Sequence, residues 1–383
     1  MHKHLPERPK LLIVSDTAMR INGAGVIEAF EPVVREIENF EYLFEEIIWI
    51  GYDYSEEKNI KNMRSTTSKK VRFVMLERTG GAKFWDKLKI FLKMFPYFLL
   101  ILTYIFKNDV VHTRAPSMPA FLAILISFFD RKRVYWHKYA GNWNEERPPK
   151  FYGFQRGLLK KAKHTRVTIN GHWPEQQKHL ISFENPCLTN EEIAWISRHV
   201  DKRNFDGKLN FCFIGNVTEA KGVERIIEAF SELDLSRVGT VHFIGDGKKR
   251  GEYEAATISL PFEFHGFMLR SQMHEILNEC QFLLLPSKSE GFPKVIAEVS
   301  PYGITPIVSA VSAIPQYIHN DENGFLIDEV NAEALKKVLQ HIIQLDKERL
   351  GKISKNTKDL YRKFSYEYYN QRIRKEVLED ESC

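Results

Sequence analysis

Two carboxylates bracket a turn that could hold an anionic, hydroxyl-rich substrate. Glu290 and Glu298 flank the turn Gly291-Phe292-Pro293, which lies between the apolar run Gln281–Pro286 and a helix-like run. Pro293 is placed to open that helix, because proline is at home in the first helical position. At about 1.5 Å rise per residue, the two carboxylates fall on the order of 10 Å apart, with the unpaired N–H groups of a helix start between them. Such amides favour phosphate. A diphosphate flanked by two hydroxyl-bearing sugars fits the spacing: one Glu for each sugar, and the amides from Gly291 through Phe292, Lys294 and Val295 for the diphosphate. A Glu pair of this spacing also occurs on solvated helix faces, but a plain surface helix needs no Gly-Phe-Pro turn after an apolar strand.

A second basic element stands earlier. Phe211–Ile214 reads as a strand, followed by a loop and then a helix carrying Val223, Ile226, Ile227, Phe230 and Leu233 on one face. Lys221 therefore sits at a strand's carboxyl end, the edge where open α/β sheets bind ligands. A lysine there can neutralise charge building on a leaving diphosphate, although an ordinary loop lysine has the same spacing. His137 follows the apolar strand Val134–Trp136, close to Gly141-Asn142-Trp143. Its strand-end position makes it a candidate for contact with an acceptor or a donor sugar, against the alternative of a packed structural imidazole. His112 ends the preceding strand and carries less weight.

These groups need a scaffold, and the chain supplies an alternating one. Apolar runs at Leu11–Val14, Ile47–Gly51, Val71–Leu76, Val110–His112, Val134–Trp136 and Val167–Ile169 read as strands. So do Phe211–Ile214, Val241–Ile244, Phe262–Phe264, Phe282–Leu285, Thr305–Ser309 and Gly324–Ile327. Helix-like segments separate them, which predicts βα units and parallel sheets in two doubly wound domains. The expected division is 1–190, a linker over 191–207, a second domain over 208–360 and a helical tail over 361–383. With 383 residues, 43% of them apolar and 27% charged, the chain can fill more than one core.

Cys187, Cys212, Cys280 and Cys383 show no zinc spacing. Cys212 and Cys280, beside apolar runs, read as buried thiols in a reducing cytosol. The N-terminus has no apolar segment of the kind that directs secretion. The net charge of +5 is uneven, with eleven Lys/Arg against two Glu between Arg131 and Arg166. Such a patch attracts anionic lipid headgroups or an acidic acceptor, or is a solvated face. No nucleic-acid-binding motif accompanies it. The run Ile90–Phe106, broken by Lys93 and Pro96 and preceded by Lys83, Lys87 and Lys89, is too short for a membrane span. It reads either as a core helix or as an interfacial one lying on the inner face of a membrane.

The spacing of Glu290 and Glu298 resembles the Glu-x7-Glu signature of the retaining GT-B glycosyltransferases with family 4 at their centre. Gly215, Lys221 and Gly222 resemble that family's diphosphate clamp, with Asn216 where an Arg is common and Lys294 a possible helper from the facing loop. Gly245-Asp246-Gly247 is similar to its glycine turn, and Asp321–Ile327 to its Asn-Gly turn. Phe264–Phe267 is similar to the strand that receives the base through backbone groups, with Phe267 and Met268 as candidates. Arg20–Gly25 resembles the family's first glycine loop, where Gly23 or Gly25 allows close approach to the diphosphate. Ser312–Gln316 departs from the family's Gly-Gly and Glu.

The resemblance implies a GT-B fold: two Rossmann-like domains facing a central cleft that closes on substrate, and a C-terminal helix crossing back to the first domain. It implies a UDP- or GDP-linked sugar donor, no cofactor and no donor-site metal. Glu290 would contact the donor sugar, Glu298 the ribose and Lys221 the leaving diphosphate, with a glycan or lipid-linked acceptor in envelope polysaccharide synthesis. A sugar-nucleotide epimerase in the same cleft, or a non-catalytic nucleotide-sugar-binding protein, are the rival readings.

Overall fold

The computed structural model describes residues 5–57, 60, 62–79, 84–174, 176–200 and 203–379, with backbone only for residues 84–91. Lys83, Cys383 and the side chains of Lys87 and Lys89 thus lie outside the described residues. The chain forms two compact units, Met1–Glu184 with Tyr366–Cys383, and Asn185–Ser365.

In the first unit, strands β1 (Leu11–Ile21), β2 (Ile27–Phe30), β3 (Ile47–Asp53), β4 (Met63–Ser65), β5 (Val71–Glu77), β6 (Val110–Ala115), β7 (Val134–Tyr139), β8 (Arg166–Ile169) and β9 (Leu180–Ser182) make one sheet. Its parallel body runs β5-β3-β1-β6-β7-β8-β9, and β2 and β4 add antiparallel to the far end of β1. Alternation along β1 shows why both faces are covered. Leu11 and Ile13 enter one core with Val34, Ile37 and Phe40 of the helix Glu31–Phe40, while Leu12 and Val14 enter another with Tyr97, Ile101 and Ile105.

The second unit repeats the plan more regularly. Strands β10 (Leu209–Ile214), β11 (Val238–Ile244), β12 (Phe262–Gly266), β13 (Phe282–Leu285), β14 (Thr305–Ser309) and β15 (Phe325–Ile327) are all parallel, in the order β12-β11-β10-β13-β14-β15. That order reverses direction between β10 and β13, and the crevice beyond such a switch point is where open α/β sheets take ligands.

Four expectations are corrected. The stretch 191–207 is no plain linker: Asn190–His199 is a helix of the second unit, closed by a capping box between Thr189 and Glu192 and buried through Ile196. The return to the first unit comes at Tyr366, later than Tyr361, and the helix Tyr366–Arg372 with the turn after it puts Tyr369, Ile373 and Val377 into the core of Leu11 and Ile13. The first strand does not lead into a glycine loop and helix. It runs on to Ile21 and turns into a hairpin, where Asn22 and Val26 pair through Asn22 N–H and Gly25 (φ 76°) supplies the left-handed residue. Gly23 and Gly25 are exposed at that tip, and a side chain at either would meet open space. Finally, the charge run 131–166 is not one patch. Lys138 is buried against Glu36 at 2.7 Å, whereas Arg131 and Lys132 are exposed.

The apolar run 90–106 is a core helix on one face and is uncovered on the other. The helix Phe84–Ile105 buries Tyr97, Ile101 and Ile105 while leaving Leu92, Phe95 and Leu99 at 65%, 68% and 46% exposure. Among the described residues no helix is long and apolar enough to cross a membrane.

Candidate active site

At the switch point of the second unit, two loops meet through their backbones. Gly222 follows Lys221 with φ 95°, and a Cβ there would stand 2.4 Å from the carbonyl oxygen of Pro286 at the end of β13. Only glycine allows that approach. The Lys288 amide donates to the Ala220 carbonyl at 3.0 Å. Arg225, 8% exposed, clamps both loops by donating to Pro286 O at 2.9 Å and to Glu219 O at 3.0 Å. The result brings Lys221 Nζ to 2.5 Å from Glu290 Oε1, with side-chain exposures of 33% and 10%. The two residues stand 69 apart in the chain.

The Gly-Asp-Gly turn belongs to the same construction. Gly245 (φ 141°) passes so close to Gly215 that a Cβ would lie 1.8 Å from the Gly215 carbonyl oxygen, and a Cβ on Gly247 would lie 2.1 Å from that of Val217. Val217 N–H donates to Asp246 O and Gly245 N–H to Gly266 O, at 3.0 and 2.8 Å. Glycines thus stitch the ends of β10, β11 and β12 into one rim. Asn216 stands exposed on it, and beyond β12 come Phe267, 53% exposed, and the half-buried Met268.

Beyond Glu290 the chain makes the turn Gly291–Pro293 and enters the helix Lys294–Val299. Pro293 is the residue before that helix, with extended backbone (ψ 119°), rather than its first turn. Among the described residues no acceptor pairs with the amides of Gly291, Phe292, Lys294 or Val295; the first paired amide is that of Ile296, to Pro293 O at 3.1 Å. The Phe292 ring points into the core, 7% exposed and stacked on Phe364 at 4.5 Å, so its main chain alone faces the loop chemistry. The half-buried Lys294 amine has no carboxylate partner among the described residues. Glu298 lies in the helix's second turn and pairs with Arg270, which also donates to the Cys187 carbonyl at 2.9 Å and meets Glu192 at 3.4 Å.

His137 does not belong with this set. It lies within β7, fully buried in the first unit, with Nδ1 2.8 Å from Thr113 Oγ1. Burial drives its pKa down to about 3, so it stays neutral and packs as a core residue. His112, stacked on Trp136 at 3.8 Å, is likewise buried and held well below its ordinary range by desolvation.

Sequence reasoning missed Arg225 and Arg270. Arg225 left a trace, a cation on the inward side of an otherwise apolar helix face. Arg270 left none, because its partners come from residues 187, 192 and 298.

The chain has relatives of known family and fold. Residues 197–360 match the family described as glycosyl transferases group 1. An uncharacterized glycosyltransferase of Methanocaldococcus jannaschii, MJ1178, is 29% identical over 175 residues, 44% of this chain and 48% of that protein. WcaL of Escherichia coli, named as a colanic acid biosynthesis glycosyltransferase, is 28% identical over 207 residues, 49% of this chain and 50% of that one. The matched stretch thus spans about half the length of these curated relatives. The crystal structure of Anabaena Alr3699/HepE in complex with UDP and glucose superposes with a TM-score of 0.65 at 14% identity, over 96% of this chain and 99% of that one, which establishes the shared two-domain GT-B fold. The residues matched to that family, 197–360, lie within the second unit, which carries the switch point and its loops.

Proposed function

We propose that the protein transfers a sugar from a nucleoside diphosphate sugar to an acceptor hydroxyl with retention of anomeric configuration. The observation that carries this reading is the Lys221–Glu290 pair at the β10/β13 switch point, beside four uncommitted amides. A diphosphate accepts from the amides of Gly291, Phe292, Lys294 and Val295, and Lys221 turns toward its growing charge. Lys294 adds a second cation where Asn216 replaces the family's Arg. Gly215 lets the rim approach the phosphates, and main-chain groups of Phe267 and Met268 take the base. Glu290 orients the sugar hydroxyls, and Glu298, held by Arg270, takes the ribose. In the reaction, the bond from the anomeric carbon to the diphosphate breaks as the bond to the acceptor oxygen forms. The acceptor's proton passes to the departing phosphate oxygen on the same face, so no cofactor and no donor-site metal is required.

UDP and glucose bound to Alr3699/HepE support a UDP-linked hexose donor, with GDP as the alternative base. The names of WcaL and of AmsK from Erwinia amylovora, an amylovoran biosynthesis glycosyltransferase, support an envelope polysaccharide setting in the cytoplasm. A lipid-linked acceptor fits the first unit. There Phe98, Leu102, Phe106 and Phe129 line an apolar hollow of about 830 Å³ rimmed by Arg131 and Lys132, a surface suited to an anionic membrane.

The test is a thermal-shift screen against nucleoside diphosphate sugars, followed by transfer to a membrane extract. A donor at one hundred times its Kd adds about 2.7 kcal/mol of stability. A new glycosidic product supports transfer. An isomerised donor with no glycoside indicates an epimerase, and binding without turnover a non-catalytic protein.

A further inference from the structure

A second cluster lies between β11 and β12, away from the β10/β13 switch point. In the parallel pair β11·β12, His242 stands opposite Glu263. The register then slips: Phe243 faces Phe264, but Ile244 faces Gly266, so His265 is the extra residue of a bulge. Bulges re-aim a side chain, and Gly266, with φ 74°, allows this one. The re-aimed His265 Nε2 comes to 3.0 Å from His242 Nδ1. The Glu263 carboxylate lies 3.6 Å from the first imidazole and 3.8 Å from the second.

Those three separations are what a metal ion's ligands require. A point equidistant from the three atoms lies about 2 Å from each, the length of a zinc–nitrogen or zinc–carboxylate bond. Among the described residues this is the one cluster of three His, Cys, Asp or Glu groups so arranged. Its two nitrogens and one oxygen suit a borderline dication such as Zn²⁺, and leave outward positions for water. The ligands are graded in burial, with side chains 7%, 23% and 58% exposed for His242, His265 and Glu263, so the inner ligand is fixed and the outer one is reachable from solvent.

We infer that His242, Glu263 and His265 form a three-ligand, zinc-class metal site that ties the edge strand β12 to β11. The strand so fixed leads directly into Phe267 and Met268, but the site stands on its own coordinates and does not depend on the proposed transfer reaction.

The test uses the full chain, stripped with a chelator and titrated with Co²⁺ and then Zn²⁺. The expected result is a one-to-one visible Co²⁺ absorption that Zn²⁺ abolishes, together with a rise in Tm on adding Zn²⁺. Glu263→Gln and His265→Ala should each weaken the affinity at least about tenfold, since losing a ligand costs no less than losing a ligand's outer-shell partner. Both residues are partly solvent-facing, so the apo variants should melt within a few degrees of the parent, which separates lost binding from lost folding. Equal Zn²⁺ affinity in the parent and both variants, or no Co²⁺ spectrum in the parent, would overturn the site and leave a plain histidine–histidine hydrogen bond.

Discussion

The two units use the same parallel sheet but spend their charges in opposite ways. In the first, Glu36 is 1% exposed and receives Arg114 at 3.0 Å, Lys138 at 2.7 Å and the Tyr369 hydroxyl at 3.1 Å. That network is sealed, and burial beside Glu36 raises the Tyr369 hydroxyl far above its usual pKa. In the second, Lys221 and Glu290 form a pair at the rim, next to amides with nothing to bind. A sealed network is committed to holding elements together, whereas an open pair can exchange its partner for a ligand. The comparison therefore predicts that charge removal in the first unit reads out as stability, and in the second as turnover.

The largest effect is expected from Glu36→Ala, which takes from Arg114 and Lys138 the buried carboxylate they share. It should cost about 3–5 kcal/mol in denaturant unfolding, and a loss under 1 kcal/mol would break the contrast. Next come Glu290→Ala and Lys221→Met, each expected to lower kcat by about 10²–10³-fold, or 2.7–4 kcal/mol of transition-state stabilisation. Nucleoside diphosphate binding to Glu290→Ala should persist, and a parallel loss of affinity would contradict its role on the sugar. Gly222→Ala forces a Cβ against Pro286 O and should cost on the order of 1–3 kcal/mol, with turnover falling too because the loop carrying Lys221 shifts.

Per pH unit, the mildest effect is a slope. His137 is neutral in the fold with a pKa of about 3, below the ordinary 6.5. The unfolded chain therefore takes up the proton first, and stability falls as pH drops from about 6.5 towards 3. The His137→Asn protein should lose up to about 1.4 kcal/mol per pH unit less over that window. Identical acid limbs would show that the histidine is not sealed.

How much of this was legible depended on distance along the chain. Phe282–Leu285 and Thr305–Ser309 have the edges that their apolar runs predict, because buried parallel strands announce themselves by composition. Strands β2, β4 and β9 did not, being three or four residues long and partly polar. His137 was misplaced at a strand end because Lys138 reads as polar punctuation. The lysine continues the strand only because Glu36, 102 residues earlier, neutralises it. The candidate site was legible for the same reason as β13: Lys221-Gly222 and Glu290–Glu298 are local patterns. Their convergence through Arg225, and the capture of Glu298 by Arg270, are contacts across 61 and 28 residues that no local pattern encodes.

The return of Tyr366–Arg372 to the first unit has a temporal consequence. A ribosome delivers residues 1–184 before the second unit, yet Tyr369, Ile373 and Val377, which fill the core around Leu11 and Ile13, emerge only after it. Until then Glu36 lacks the hydroxyl of Tyr369, and Phe183 lacks the ring it meets at 5.4 Å. The unit begun first is thus completed only after the other has been made, and the nascent chain must carry an open core while residues 185–365 are synthesised.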